Sequence, residues 1–502
     1  MMQQTGFDND KYLEEQTREI LERVESAKGR LYLEFGGKLM FDHHAARVLP
    51  GYDPNVKIRL LEKLRDRAEI ILCIFAGDIE KRKIRGDFGI TYDTDALMLI
   101  DGFRDMGIQL RGVVITRFED QPSAISFENR LKRRGVDVFR HYYTRGYPTD
   151  VNLIVSEEGY GRNDYIKPSK SLVVVTGPGP GSGKLATCLS QLYHDFQKGT
   201  HAGYAKFETF PIWNIPLKHP ANAAYEAATA DLRDVNLVDP FHLEAYGTTA
   251  INYNRDVEAF PLLKRILGKI TGDKSPYASP TDMGVNRVGF GITDEHVVRR
   301  AAEQEIIRRY FRYSCEYVMG VTDKGTVQKV ELLMDDYGLT PESRLVVEPA
   351  RRNIPERESE GASDPAAAAA LMLKDGTIIT GRSSDLMNAS AAVVLNAIKK
   401  LAKIDSDVHL LAPATIESIR RLKRSINTFP LLLDLEEVLV ALSVNAAVFK
   451  PASDGMTKLT KLRNCEAHLT HMPSSGDESG LRSLGIYLTC DPLFGSRRLY
   501  NS

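Results

Sequence analysis

Cysteine and tryptophan are scarce in this chain of 502 residues, with five and one respectively. The cysteines, at positions 73, 188, 315, 465 and 490, are scattered and odd in number, which argues against a disulfide framework and for a reducing compartment. No run of about 18 apolar residues occurs, so no membrane span is expected. Neither sign of charge dominates: 66 basic residues face 67 acidic ones, for a net charge of −1. That balance gives no reason to expect nucleic acid or a membrane surface as partner. The segment from Met1 to Glu15 is acidic and lacks an apolar core, so no signal peptide is expected and the reading is cytoplasmic.

What is present is ample apolar material, 43% of residues, enough for packed cores in about three domains. The most informative stretch runs from Ser171 to Lys198. Ser171 to Thr176 is a β-branched apolar run suited to a buried strand. Residues 177 to 183 hold four glycines and two prolines, and Leu185, Cys188, Leu189, Leu192 and Phe196 then recur at helical spacing. Strand, glycine loop and helix in that order make a phosphate cradle, because backbone N–H groups close on an anion where a helix N-terminus adds partial positive charge. Gly177, Gly179, Gly181, Ser182, Gly183, Lys184 and Thr187 are the candidate binding residues, with Lys184 as electrophile.

The loop departs from G-x-x-x-x-G-K-[ST]. Pro178 stands where the first glycine belongs, and Leu185 replaces the hydroxyl that would ligate magnesium. Thr187 lies two positions further on. A nucleotide or a phosphate is therefore the expected ligand, with the magnesium requirement weakened.

Around this stretch the pattern alternates. Strands are expected at 31–35, 70–76, 110–116, 136–140 and 171–176, with helices at 58–68, 94–106 and 123–134, giving a mostly parallel α/β sheet over residues 1–200. Asp78 and Arg85-Gly86-Asp87 could face the crevice at the carboxyl ends of the strands. Asp42-His43-His44 reads as a cap. Residues 201–343 read as mainly helical, with an irregular loop from Thr271 to Gly291 holding Asp282, Asn286 and Arg287. Asp282, Arg287 or Asp239 could be supplied across the cleft, and Arg300, Arg308 and Arg312 read as a solvated helix face. Residues 344–502 follow a charged linker as an α/β or α+β domain, with a hairpin around Asp375-Gly376, a helix from Ala389, and a strand at 408–411.

Four segments resemble an uncharacterised bacterial family described as a domain of unknown function. They are Gly177 to Thr187, Tyr204 to Asn214, Asp239 to Tyr246 and Ser279 to Arg287. Some members carry an ATP-dependent peptidase label, but no H-E-x-x-H motif occurs here. The resemblance covers nearly the whole chain and implies a multi-domain αβ protein with a helical insertion. Residues 366–410 are similar to the start of a cytidine deaminase fold. Asn388-Ala389-Ser390 stands where the zinc ligand and glutamate belong, and no P-C-x-x-C follows, so that fold is expected without its zinc.

Three functions follow from these residues. The first is binding of a nucleotide or phosphorylated small molecule at 177–184, with Lys184, Asp282 and Arg287 as the reacting groups. The second is a hydrolase or metal site built from Cys465, Glu466, His468 and Cys490. As a strand, that segment puts Glu466 and His468 on one face; as a helix, it puts Cys465 and His468 there. The third is a non-catalytic ligand-binding protein or a homo-oligomeric assembly.

Overall fold

The runs of valine, isoleucine and leucine between residues 30 and 207 become the six strands of one parallel sheet. They are β1 (Arg30–Phe35), β2 (Ala68–Phe75), β3 (Leu110–Thr116), β4 (Val138–Arg140), β5 (Leu172–Thr176) and β6 (Ala202–Phe207), in the order β4-β3-β2-β5-β1-β6. In this computed structural model, residues 5–85, 89–272, 275–354, 365–426 and 431–496 are described. β2 and β5 are buried along almost their whole length, as a central parallel strand covered on both faces must be.

The crossovers carry helices α1 (Val56–Leu64), α2 (Tyr92–Asp105), α3 (Pro122–Arg133) and α4 (Lys184–Gln197). From β1 the chain steps toward the β4 edge, whereas from β5 it steps over β1 to β6 at the other edge. Right-handed crossovers in opposite directions place their helices on opposite faces, leaving a crevice outside the carboxyl ends of β5 and β1. The glycine loop leaves β5 at that point.

The sheet extends past residue 200. β6 lies inside the stretch read as helical, because its alternation (Tyr204 and Ala205 buried, Gly203 and Lys206 partly so) pairs it with β1. The same unit contains a two-stranded ribbon, β7 (Asn236–Val238) with β8 (Ile251–Tyr253), and helix α5 (Asn254–Thr271). The segment 271–291 holds a short helix, Pro280–Met283, and a turn of 3-10 helix, Val288–Gly291. Gly86 and Asp87 lie outside the described residues.

The chain forms two compact units, Thr5–Glu226 with Asp234–Ala302, and Ala227–Arg233 with Glu303–Ser502. The second contains a mixed four-stranded sheet of β9 (Ala368–Met372), β10 (Ile378–Arg382), β11 (Glu466–Leu469) and β12 (Tyr487–Cys490), in the order β10-β9-β11-β12. β9 runs antiparallel to both neighbours, and β11 pairs parallel with β12. Helix Ala389–Ala402 packs on it through Val393, Val394 and Ile398, and helix Leu435–Ala446 joins the same core through Val438 and Leu442. The strand expected at 408–411 does not form. Leu410 and Leu411 instead insert into this core, so burial alone accounts for their apolar character.

Candidate functional site

The glycine loop is shaped by contacts that only glycine permits. A Cβ on Gly177 would meet Ser182 Oγ at 2.4 Å and the Cys73 carbonyl at 2.5 Å. Gly183, the N-cap of α4, has φ +92°, and a Cβ there would meet Thr116 at 2.7 Å. Thr116 Oγ1 donates to the Ser182 carbonyl at 2.8 Å, and Arg117, stacked 3.4 Å over the Phe75 ring, donates to the Gly181 carbonyl. Two of the loop's carbonyls are thus taken up by side chains at and just past the end of β3. Among the described residues, no hydrogen-bond acceptor is assigned to the N–H groups of Gly181, Ser182, Gly183, Lys184 and Leu185, the last three being donors that a helix start leaves unmatched. Lys184 folds over the loop, with Nζ 3.1 Å from the Gly179 carbonyl and 3.3 Å from Ser182 Oγ.

Beside the loop is a cavity of 190 Å³, lined by Gly177 and Pro178, the segment after β1 (Lys38, Leu39, Met40, Phe41) and α2 (Asp95, Met98, Leu99). Its walls are mainly apolar, with Lys38 and Asp95 as the charged members.

Thr187 does not face the loop's mouth. It is fully buried one turn into α4, 3.4 Å from both Cys73 Sγ and His141 Nδ1. Burial pushes the Cys73 thiol up to about 12 and the His141 imidazole down to about 4, so both stay neutral. Asp282 closes a capping box with Ser279 and accepts from the Tyr246 hydroxyl at 2.9 Å. Arg287 pairs with Glu19. Asp239 caps Pro240–Tyr246 and accepts from Thr281 Oγ1 at 2.6 Å. The first two, offered as reacting groups with Lys184, are each engaged in fixing the backbone of the 239–287 segment.

A second group of charges was not singled out from the sequence. Lys206, near the carboxyl end of β6, has its Nζ 3.1 Å from Glu208 and 2.5 Å from Asp256. Glu34 of β1, in register with Lys206, accepts from the Tyr204 hydroxyl at 2.7 Å. Burial, joined by the charges of Asp256 and Glu34 and opposed by Lys206, pushes the Glu208 carboxyl up to about 7. The side chains of Lys206, Glu208 and Asp256 stay 18–24% exposed, so the group opens to solvent. The signal for it was Lys206-Phe207-Glu208 at the carboxyl end of a strand of a parallel sheet, where ligands bind.

In the second unit the segment from 466 is a strand, so Glu466 and His468 share a face, but they have separate partners. Glu466 is clamped by Arg308 and Arg344, the latter 1% exposed on its side chain. His468 Nδ1 lies 2.9 Å from Thr489 Oγ1, and its Nε2 lies 3.4 Å from Asp491. The Cys490 thiol sits 3.5 Å from that of Cys315, whereas the Cys465 thiol turns to the Lys461 carbonyl. Among the described residues, no group of three or more histidine, cysteine or acidic side chains is placed to hold a metal. Of the arginines read as a solvated face, Arg312 is 41% exposed and pairs with Glu316, whereas Arg308 departs from that reading: it is 11% exposed, held between Glu305 and Glu466.

A six-stranded parallel sheet with a glycine loop at its reversal point, joined to a mixed-sheet unit, defines a multi-domain α/β protein. The chain belongs to the family described as domain of unknown function DUF1846: the N-terminal model matches residues 5–338 and the C-terminal model residues 342–500. Similar proteins include a UPF0371 protein of Clostridium botulinum (strain ATCC 19397 / Type A), 56% identical over 497 residues and 99% of both chains. A UPF0371 protein of Clostridium tetani (strain Massachusetts / E88) is 55% identical over 499 residues, again 99% of both. These names state no activity. Among the described residues, no helix is long and apolar enough to cross a membrane.

Proposed function

We propose that the loop from Gly177 to Lys184 binds the phosphate of a nucleotide or phosphorylated small molecule. The observation that carries this reading is the run of N–H groups from Gly181 to Leu185, which have no assigned acceptor at the start of a 14-residue helix. Lys184 adds a mobile positive charge, and the adjoining cavity offers Leu39, Met40 and Met98 to the body of the ligand. With Leu185 in place of a hydroxyl, a bound magnesium ion would lack its usual protein ligand, so anion binding should depend little on that metal. A thermal-shift screen of nucleotides and phosphorylated metabolites tests the reading. At least one phosphorylated compound should raise the melting temperature, and its unphosphorylated parent should not.

A second reading, homo-oligomeric assembly, draws on a different observation. Val440 and Val444, on helix Leu435–Ala446, and Val448 just beyond it are 67%, 63% and 89% exposed at four-residue spacing. An apolar stripe of that kind favours a second copy as its cover. Sedimentation of the wild type against Val444→Glu tests it: the variant should shift to a smaller species. The mixed sheet is also read as deaminase-like in fold without the zinc. The antiparallel hairpin followed by helix Ala389–Ala402 supports this, and Asn388 donates to Asp477 at 2.7 Å.

A further inference from the structure

Arg117 stands one residue past β3, with its backbone at φ +50°, in the left-handed region that L side chains rarely adopt. Its guanidinium lies 3.4 Å from the centroid of the Phe75 ring, at the end of β2, and its Nη2 donates to the Gly181 carbonyl. The ring is wedged in turn: a Cβ on Gly77 would lie 2.5 Å from its Cζ. Stack and hydrogen bond together fix the guanidinium against the loop. Only one of its nitrogens is spent there. Among the described residues, Nε and Nη1 have no acceptor and Arg117 forms no ion pair.

A carbonyl oxygen and the nitrogen that follows it share one peptide plane, so the Arg117 guanidinium lies within about 5 Å of Ser182 N. Lys184 reaches the same residue, with Nζ 3.3 Å from Ser182 Oγ, and it too forms no ion pair among the described residues. Two cations without counter-ions therefore adjoin Ser182. Two buried hydroxyls add to them. Ser182 is 2% exposed, and its Oγ accepts from Lys184 while its own proton has no acceptor among the described residues. Thr176, the residue before the loop, is fully buried, and its hydroxyl has no hydrogen-bond partner among the described residues.

We propose that the 177–184 loop receives two linked phosphoryl groups, so that its ligand is a diphosphate ester, with Lys184 and Arg117 as the two cations that hold it. The inference rests on the reading of that loop as an anion cradle, and it names the class of ligand. A single phosphoryl group presents three terminal oxygens. The donors gathered here exceed them: the N–H groups from Gly181 to Leu185, the Ser182 hydroxyl, the Lys184 ammonium, and Nε and Nη1 of Arg117. A diphosphate presents nearly twice the oxygens and a further negative charge, which a second cation at the loop offsets.

The remaining charges around the loop balance one another. Asp78 pairs with Lys83 at 3.8 Å, and Lys83 lies 5.4 Å from the centroid of the Tyr92 ring. Tyr92 packs edge-on against the loop, since a Cβ on Gly179 would lie 2.2 Å from its Cε1. Lys81 and Arg117 also act on Asp78 through space. With Asp78 matched by Lys83, the charges of Arg117 and Lys184 are left for the ligand.

Orthophosphate and inorganic pyrophosphate are the probes, titrated calorimetrically into the full-length chain in magnesium-free buffer. The wild type should bind pyrophosphate at least about tenfold more tightly, the size expected for one further charge-assisted contact. Arg117→Ala should remove most of that preference, because it weakens pyrophosphate about tenfold more than orthophosphate. A residue that only braced the Gly181 carbonyl would weaken both anions by the same factor. Should Arg117→Ala not fold, Arg117→Lys makes the same comparison, with a loss of about threefold because the charge remains. Lys81→Ala, which removes an exposed cation from the field of Asp78, should keep the full preference. A preference that survives substitution of Arg117, or that falls equally in Lys81→Ala, would overturn the role of Arg117. Wild type that binds the two anions equally would overturn the diphosphate and leave the cradle standing. Wild type that binds neither would overturn the cradle itself.

Discussion

Thr116, at the end of β3, donates its hydroxyl to the carbonyl of Ser182 at 2.8 Å, joining a strand end to the glycine loop 66 residues away in sequence. The bond turns the Ser182 peptide so that its carbonyl faces the protein. Thr116→Val removes the donor and leaves that buried carbonyl unmatched, at a cost of about 1–2 kcal/mol in unfolding free energy. Phosphate-ligand affinity should fall with it. Chemical denaturation of the variant against the wild type measures the first effect; an unchanged midpoint would show that the brace contributes nothing.

Gly183 tests the loop's shape from the other side. At φ +92° and with a Cβ 2.7 Å from Thr116, alanine is both strained and obstructed. Gly183→Ala should destabilise by about 2 kcal/mol or more. Gly199→Ala supplies the control: that position also has positive φ, but nothing lies within 4 Å, so its cost should be the smaller of the two in thermal unfolding.

In the second unit, Arg344 is buried against Glu466 and also donates to Thr489 and to the carbonyls of Ala467 and Tyr487. Glu466→Ala strands that guanidinium, and the loss should be about 3–5 kcal/mol. Replacing both with apolar residues of similar volume (Arg344→Met with Glu466→Leu) should recover part of it. Urea unfolding of the two variants decides, and equal losses would count against the buried charge as the cause.

Asp491 gives that unit an acid dependence. Burial opposes its ionisation, but His468 and the Arg351 guanidinium outweigh burial and hold the carboxyl down at about 2, below its ordinary value of 3.8. A carboxyl lowered by folding contributes stability above its unfolded value and loses it as pH falls through its folded one. About 1–2 kcal/mol should therefore disappear between pH 4 and pH 2, after allowance for solvent screening. In Asp491→Asn the fall in thermal stability over that interval should be shallower.

The parallel sheet was legible because its strands are near-continuous apolar runs, Val173-Val174-Val175 above all, and the glycine loop because its composition fits no regular element. β6 was harder to see. Gly203 and Lys206 interrupt its apolar pattern, and only pairing with β1 makes it a strand. The reverse error arose at Leu410 and Leu411, apolar through burial in a helical core rather than in a sheet. Of the residues named for the site, those of the loop come together by adjacency in sequence. The Glu208 group escaped notice because its members come from 34, 206, 208 and 256, and only the pairing of β1 with β6 and the salt bridges of Lys206 bring them together. Thr187 shows the converse: two residues further along a helix is slightly more than a half-turn, which carries its hydroxyl into the core beside Cys73.

The most direct measurement is a calorimetric titration of wild type and Lys184→Ala with inorganic pyrophosphate, in the presence and absence of magnesium. Removing a charge-assisted contact costs about 1.5–3 kcal/mol, so affinity should fall roughly 10- to 100-fold in the variant, with its melting temperature little changed. Equal affinity in the two proteins, or no binding to the wild type, would contradict the assignment of the Gly177–Lys184 loop as a phosphate site.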